Sequence, residues 1–164
     1  MSTNTNKRKF IVTDPTKCSG CLICEYACSE IKEKSYNPKK SRIRLVRLGL
    51  TSQMAVACQL CEDAPCIIAC PRDALKKSEA TSVIMVDERK CNGCGWCVLA
   101  CNFGSITIHD KKKTAVICDL CQGDPECIKA CPEDALELTT EEGVAQRART
   151  GSVKKILTDR VGGN

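Results

Sequence analysis

The sequence predicts a small α+β protein built from short strands and helical turns, with little conventional hydrophobic core. Three observations support this fold class: the chain has 164 residues, only 3% of them are aromatic, and sixteen are cysteine. A chain of this length forms one domain, but so few large apolar side chains leave its centre poorly filled. We therefore expect the cysteines, and whatever they bind, to occupy the centre and to be needed for folding.

The cysteines form four motifs, each with four cysteines in a short stretch. The first and third motifs are compact, with gaps of two, two and three residues, and the second and fourth widen the middle gap to four and five. In chain order the motifs are Cys18, Cys21, Cys24 and Cys28; Cys58, Cys61, Cys66 and Cys70; Cys91, Cys94, Cys97 and Cys101; and Cys118, Cys121, Cys127 and Cys131. In bacterial [4Fe–4S] ligand runs of this kind, three thiolates hold one cluster and the fourth reaches a neighbouring cluster. Sixteen ligands at four per cluster predict four [4Fe–4S] clusters.

Three other uses of cysteine fit the pattern less well. A zinc ribbon has two separated cysteine pairs rather than four cysteines in one run. A disulfide framework needs an oxidising compartment, and residues 1–10 are polar and basic, without an apolar stretch of signal-peptide length. Redox-active Cys-x-x-Cys pairs do not come as quartets at this density. The sequence therefore favours iron–sulfur clusters, and the absence of a twin-arginine signal predicts a cytoplasmic location.

The net charge changes sign once the clusters are counted. The formal charge of +5 treats every cysteine as a neutral thiol. Sixteen thiolates add sixteen negative charges and four oxidised clusters of core charge 2+ return eight, so the loaded protein carries about −3. The excess of lysine and arginine mostly offsets the clusters, and with aromatic residues this scarce it does not indicate nucleic-acid binding.

An internal duplication organises the chain. The segments 11–21, 55–61 and 70–75 recur at 84–94, 115–121 and 131–136, so each half holds a compact motif followed by an expanded one. Gly20 and Gly93, each two residues after a first cysteine, suit a tight cluster loop. Short strands are predicted at 10–13, 43–48, 82–86 and 105–108, and helical turns around each fourth cysteine. We predict a disordered segment 1–9, a domain at 10–137 with repeats at about 10–75 and 83–137, and a polar tail at 138–164 with one helix or two broken at Gly151.

In this order of compact and expanded motifs, residues 8 to 137 resemble the four-cluster ferredoxin-type electron-transfer subunits. That family includes the B subunit of dimethyl sulfoxide reductase, the iron–sulfur subunits of formate dehydrogenase and formate hydrogenlyase, and the carbon monoxide dehydrogenase-associated ferredoxin; the small subunits of some tungsten aldehyde oxidoreductases are similar. The resemblance implies a duplicated bacterial-ferredoxin-like fold wrapped around four clusters. Every ligand position here is cysteine, so nothing indicates the three-iron cluster found in members with a tryptophan ligand.

The resemblance also implies which motifs share a cluster. In the family the first motif pairs with the fourth and the second with the third, whereas spacing alone is equally compatible with adjacent pairing. Carried over, the four ligand sets are Cys18, Cys21, Cys24 and Cys131; Cys118, Cys121, Cys127 and Cys28; Cys58, Cys61, Cys66 and Cys101; and Cys91, Cys94, Cys97 and Cys70.

The function expected is electron transfer by a non-catalytic subunit, because no nucleophile constellation or phosphate loop is present. The only histidine, His109, is expected at a solvated surface, since all cluster ligands are already cysteine. Trp96 is expected to pack beside a cluster and exclude water. The favoured partners are a tungsten or molybdenum pterin enzyme, such as an aldehyde or formate oxidoreductase, and a redox protein such as ferredoxin; the alternatives are a freestanding polyferredoxin or a subunit associated with hydrogenase or carbon monoxide dehydrogenase. No membrane span is expected, and the tail is the candidate arm for binding a partner.

Overall fold

The computed structural model describes residues 8–49 and 52–161, which form a small mixed α/β structure. Its strands are β1 (Lys9–Thr13), β2 (Arg44–Leu48), β3 (Ser52–Val56), β4 (Leu75–Lys77), β5 (Ile84–Val86), β6 (Thr107–Ile108), β7 (Ala115–Val116) and β8 (Leu136–Thr140). Its helices are α1 (Ile23–Glu33), α2 (Pro65–Ile68), α3 (Trp96–Ala100), α4 (Glu126–Lys129) and α5 (Glu141–Val161), with short 3₁₀ segments at Pro38–Lys40 and Leu120–Gly123. Within these residues the strands pair two by two into antiparallel ribbons, in the order β1–β8, β2–β3, β4–β5 and β6–β7.

Two of the ribbons decide which cysteine motifs meet. β1 precedes the first motif and β8 follows the fourth, and their register pairs Phe10 with Thr139. β4 follows the second motif and β5 precedes the third, with Leu75 paired to Val86. Each ribbon is extended by one equivalent main-chain hydrogen bond from the residue just after its first strand. Asp14 N–H donates to Ala135 O at 2.8 Å, and Asp87 N–H donates to Ala74 O at 2.7 Å. The ribbons therefore bring the first motif to the fourth and the second to the third.

The predicted strands are confirmed, although their ends differ. Strands lie inside each of the segments 43–48, 82–86 and 105–108, and β1 begins one residue before the predicted start at Phe10. The partners β3, β4, β7 and β8 were not predicted. All four flank expanded motifs, and β4 and β7 have only three and two residues, too few for period-2 alternation to be recognised. β3 and β8 have five residues each, as many as β1 and β2, so length does not explain why they were missed.

The core is made of small aliphatic side chains and cysteines. Ile43 and Leu60 are almost completely buried, and Ile11, Ile106 and Ile117 pack in the same cluster. Seven of the sixteen cysteines are buried with them: Cys24, Cys28, Cys58, Cys66, Cys97, Cys118 and Cys127. This confirms the expectation that cysteine takes the place of larger apolar residues at the centre.

The C-terminal segment is one continuous helix, because α5 runs through Gly151 without a break. The preceding strand continues to Thr140, three residues past the boundary predicted at 137. Of the predicted disordered segment 1–9, residues 1–7 lie outside the described residues, while Lys9 already belongs to β1. Among the described helices, none is both long and apolar enough to span a bilayer.

Candidate metal centres

The fold gathers the cysteines into four quartets, each combining three residues of one motif with the fourth cysteine of another. Three quartets each line a single cavity; in the remaining quartet burial raises the pKa of Cys58 and Cys66, and the nearby Cys101 adds to both rises, as Cys61 does for Cys58. We number them as follows: the first quartet is Cys18, Cys21, Cys24 and Cys131; the second is Cys28, Cys118, Cys121 and Cys127; the third is Cys58, Cys61, Cys66 and Cys101; and the fourth is Cys70, Cys91, Cys94 and Cys97.

The quartets follow one another in a line. Helix α1 carries Cys24 of the first quartet and Cys28 of the second, so these two quartets are neighbours. Cys66 of the third quartet lies in α2, which packs against α3 with Cys97 of the fourth. Burial raises the pKa of Cys118 in the second quartet, and the nearby Cys58 of the third quartet adds to that rise. The spatial order is therefore first, second, third, fourth.

Solvent exposure differs between the ends and the middle of this line. Cys21 of the first quartet and Cys94 of the fourth are exposed. Each cysteine of the second and third quartets is buried or intermediate in exposure. The two outer quartets therefore approach the surface, and the inner two lie deeper.

Two glycines, Gly20 and Gly93, form tight turns in the walls of the outer quartets. Gly20 and Gly93 both adopt positive φ, at +72° and +70°. A Cβ at Gly93 would overlap the carbonyl oxygen of Lys113, whereas a Cβ at Gly20 would lie 2.9 Å from the flexible end of Gln53. The positive φ angles confirm the prediction that both glycines form tight loops. Gly93 has less room for a side chain than Gly20.

The fourth cysteine of each motif accepts a hydrogen bond at Sγ. Main-chain N–H groups donate from Ala74 to Cys70 and from Ala135 to Cys131, both at 3.4 Å. In the compact motifs Arg42 N–H donates to Cys28 Sγ at 3.3 Å, and Ser105 Oγ lies 3.4 Å from Cys101 Sγ, to which the hydroxyl donates once that cysteine is a thiolate. Hydrogen bonds of this kind orient a sulfur ligand and adjust the potential of the metal it binds.

Burial controls the ionisation of the buried thiols in several quartets. It raises the pKa of Cys24 and Cys118 to about 12 and that of Cys66 to about 11. Burial also acts to raise the pKa of Cys101. Hydrogen bonds from the Ser105 hydroxyl and from nearby main-chain N–H groups outweigh this effect, so the pKa of Cys101 is lowered. The buried thiols therefore need a compensating positive charge, which bound iron supplies, to exist as thiolates at neutral pH.

Basic side chains surround the second quartet. Lys32 and Arg42 line its cavity together with Asp119. Lys32 Nζ lies 2.8 Å from Asp119 Oδ1, and Arg42 Nη1 lies 2.7 Å from Asp119 Oδ2. This gives the surroundings of the quartet a net positive charge, which suits a negatively charged set of four thiolates and a cluster.

The donor set fits [4Fe–4S] clusters. Four thiols converge on each site, which is the ligand number of a cubane cluster. Across residues 8–49 and 52–161, no three His, Cys, Asp or Glu side chains converge as tightly as a single metal ion needs. In the first, second and fourth quartets the thiols instead stand around a cavity, as a polynuclear cluster requires.

Two expectations about individual residues change. His109 is not at a solvated surface: it is 7% exposed, its Nδ1 accepts the main-chain N–H groups of Lys111 and Lys112, and its Nε2 lies 3.4 Å from Glu33 Oε2. The His109 prediction was wrong because the sequence does not show that His109 contacts Glu33, which is 76 residues away. Without that partner, a single polar residue near a turn is expected to be exposed. Trp96, at the start of α3, is 59% exposed and so excludes less water than expected.

The geometry also identifies residues that the sequence did not. Ser105 and Arg42 both contact cysteine sulfur, although neither belongs to a motif. The one signal in the sequence is that each of them directly precedes an isoleucine. That signal can be recognised only once the structure shows that both isoleucines are buried, Ile43 at 1% and Ile106 at 2% exposure.

Comparison with known proteins agrees with the site. Residues 51–141 match the model of the 4Fe-4S dicluster domain. A polyferredoxin-like subunit of aliphatic sulfonate oxidoreductase from Pyrococcus furiosus is 43% identical over 85% of this chain and 83% of its own length. The putative electron transport protein YsaA of Escherichia coli is 40% identical over 86% of this chain and 95% of its own. The electron transport protein HydN of Escherichia coli is 32% identical over 78% of this chain and 86% of its own.

Fold and site define an iron–sulfur electron-transfer protein of the ferredoxin type, with several [4Fe–4S] clusters as cofactors. The family match and the cysteine quartets agree on this class. The chain belongs to the 4Fe-4S dicluster domain family.

Proposed function

We propose that this chain is a non-catalytic subunit of an oxidoreductase complex, holding four [4Fe–4S] clusters that connect a catalytic subunit to a second redox protein. Each bound cluster stores and releases one electron. For every electron that leaves the catalytic subunit one reaches the acceptor, and no bond in this chain forms or breaks. The residues around the clusters hold them in place, exclude water and set their potentials.

The observation that carries the proposal is the linear order of the quartets, with exposed cysteines at both ends. An electron entering at Cys21 in the first quartet can leave at Cys94 in the fourth after passing through the two inner quartets, which have no exposed cysteine. A single enzyme active site would instead need one accessible cavity with groups for acid–base work. A line with two open ends suits a protein placed between two redox partners.

We assign each quartet as the ligand set of one cluster, which is the nested pairing of the first motif with the fourth and the second with the third. The β1–β8 and β4–β5 ribbons support this pairing, because they join the strands next to those motifs. In the resulting duplicated ferredoxin-like fold, each half contributes one compact and one expanded motif.

For the catalytic partner we favour a tungsten or molybdenum pterin enzyme of the aldehyde or formate oxidoreductase type. The relative from Pyrococcus furiosus supports the wider class, since it is named as a subunit of an oxidoreductase. We place the complex in the cytoplasm, and we assign α5 as the arm that binds a partner. A freestanding polyferredoxin, and a subunit of hydrogenase or carbon monoxide dehydrogenase, are the alternatives that the following experiment distinguishes.

The test is elemental analysis of the native complex, purified without oxygen through a tag on this chain. About sixteen irons per copy are expected from four clusters, in addition to those of the partner. Tungsten or molybdenum in the complex would support the pterin enzyme, and nickel would replace that partner with hydrogenase or carbon monoxide dehydrogenase. A lone chain with about sixteen irons would overturn the subunit proposal in favour of a freestanding carrier.

A further inference from the structure

Arg42 and Ser105 occupy equivalent positions in the two repeats. Each directly precedes a deeply buried isoleucine, Ile43 or Ile106, and a strand begins one residue after that isoleucine. Each also donates its main-chain N–H to the fourth cysteine of the compact motif before it, Arg42 to Cys28 and Ser105 to Cys101. Cys28 belongs to the second quartet and Cys101 to the third, so the two residues lie at the two inner clusters.

The side chains at this position are chemically different. Ser105 presents a neutral hydroxyl 3.4 Å from Cys101 Sγ. Arg42 carries a guanidinium group and is one of the residues that line the cavity of the second quartet; it also lines a cavity beside Glu33 and His109. Its Nη1 is bound to Asp119, while its Nε is completely buried and, among the described residues, has no hydrogen-bond partner. A buried N–H left unpaired costs free energy, so this atom calls for an acceptor in one of the cavities that Arg42 lines.

We propose that Arg42 is a positioning residue that donates its Nε–H to a sulfur atom of the cluster in the second quartet and thereby raises the reduction potential of that cluster. The inference rests on the proposed assignment of quartets to clusters. Of the two cavities that Arg42 lines, the one bounded by cysteines is where sulfur acceptors would lie, and the main-chain N–H of the same residue already donates to Cys28 Sγ at 3.3 Å. Lys32 adds a second positive charge on the same wall, and Asp119 offsets only one of the two.

The sign of the effect follows from charge. Reduction adds one electron to a site that already carries four thiolates, so a nearby cation favours the reduced form and raises the potential. A hydrogen bond to sulfur acts in the same direction. Arg42 supplies both, whereas Ser105 supplies only the hydrogen bond, and the two inner clusters consequently differ in potential.

The experiment is a redox titration of the purified holoprotein, followed by electron paramagnetic resonance, for four variants. R42S gives the second quartet the residue that its repeat equivalent has, and we expect one of the four potentials to fall. A tenfold change in the ratio of oxidised to reduced cluster at fixed potential corresponds to about 59 mV for one electron. R42K keeps the charge and loses the Nε–H donor, so the same potential should fall by less.

Two further variants serve as controls. Arg149 is exposed on α5, its Nη1 donates to Gln146 Oε1, and it does not line the cavities of the first, second and fourth quartets, so R149S should leave all four potentials unchanged. S105A should lower a different potential from the one that R42S lowers. The proposal is overturned if R42S and R42K leave every potential where it is, or shift none of them more than R149S does. An iron content well below sixteen per wild-type chain would refute the assignment of four clusters itself, which separates that failure from failure of the Arg42 proposal.

Discussion

His109 Nε2 lies 3.4 Å from Glu33 Oε2, a contact that joins α1 in the first repeat to the β6–β7 turn in the second. The other ring nitrogen, Nδ1, accepts the N–H groups of Lys111 and Lys112 at 3.1 and 3.2 Å. Because Nδ1 is an acceptor, the proton is on Nε2, which donates to Glu33. His109 therefore closes the turn between β6 and β7 and attaches it to α1.

Replacing His109 should destabilise the protein without changing cluster content. In His109→Phe the Lys112 N–H loses its acceptor and Glu33 loses its contact with Nε2, while the Lys111 N–H keeps Asp110 Oδ1, so we expect a loss of about 1 kcal/mol in the free energy of unfolding. His109→Asn is the matched control, since its amide oxygen can replace Nδ1 as an acceptor. Urea unfolding of the loaded proteins measures both. Equal stability of the Phe and Asn variants would contradict the role given to Nδ1.

The pairing of motifs can be tested with two double variants that each remove two ligands. Cys24→Ala with Cys131→Ala takes both from one cluster under nested pairing, so three intact clusters should remain. Cys24→Ala with Cys70→Ala takes one ligand from each of two clusters, so two should remain. Adjacent pairing of the first motif with the second predicts the reverse. Counting intact [4Fe–4S] clusters by Mössbauer spectroscopy distinguishes the two arrangements.

The sequence was sufficient for the cofactor type because ligand spacing is a local property. The four motifs, the duplicated segments and Gly93 could all be recognised from residue order. Which motif faces which depends on the β1–β8 and β4–β5 ribbons, whose partners lie far apart in sequence, and spacing alone left that choice open.

Residues that act through long-range contacts were missed for the same reason. Lys32 reaches Asp119 across 87 positions, and Arg42 reaches it across 77. In the sequence the basic residues from Lys34 to Arg47 read as a solvated edge, and only the fold separates Arg42, which lines a cysteine cavity, from Arg44, which binds the carbonyl oxygen of Lys39. Cluster chemistry is thus encoded locally, whereas its tuning is encoded by tertiary contacts.

Gly93→Ala should be more harmful than the same change at Gly95, two residues later. Both glycines have positive φ, +70° and +86°, so both substitutions carry the left-handed backbone penalty of about 1–2 kcal/mol. Only at Gly93 would the new Cβ overlap a backbone atom, the Lys113 carbonyl oxygen; at Gly95 it meets nothing within 4 Å. We expect Gly93→Ala to lose about 1–3 kcal/mol beyond Gly95→Ala. Similar unfolding midpoints for the two loaded variants would count against the close approach.

Removing iron should unfold most of the chain. Seven buried cysteines form part of the core with Ile11, Ile43 and Leu60, and iron supplies bonds that tie distant motifs together. Treatment with a chelator and an oxidant should therefore abolish the cooperative thermal transition seen by circular dichroism, and reconstitution with iron and sulfide should restore it. A cooperative, native-like transition in protein freed of iron would contradict this.

The outer part of α5 should bind a partner while contributing little to the folded domain. Near its start the helix is fixed to the domain by ion pairs of Arg147 with Glu137 and of Glu141 with Arg8. Farther on, Val153, Ile156 and Leu157 form one apolar stripe at i, i+3 and i+4 spacing, and each is more than half exposed. An exposed stripe of this kind on a long helix suits insertion into a groove of another subunit.

Exchanging these three residues for glutamine should therefore weaken co-purification with the catalytic subunit and leave iron content and cluster spectra unchanged. The control variant exchanges Lys154 and Lys155, on the same turns of the helix, for glutamine, and should retain the complex. Deletion of residues 143–164 tests the whole arm in the same assay, with spectra again expected to be intact. If the stripe variant and the deletion both assemble as well as the unaltered chain, α5 is not the arm, and the partner must bind over the quartets themselves.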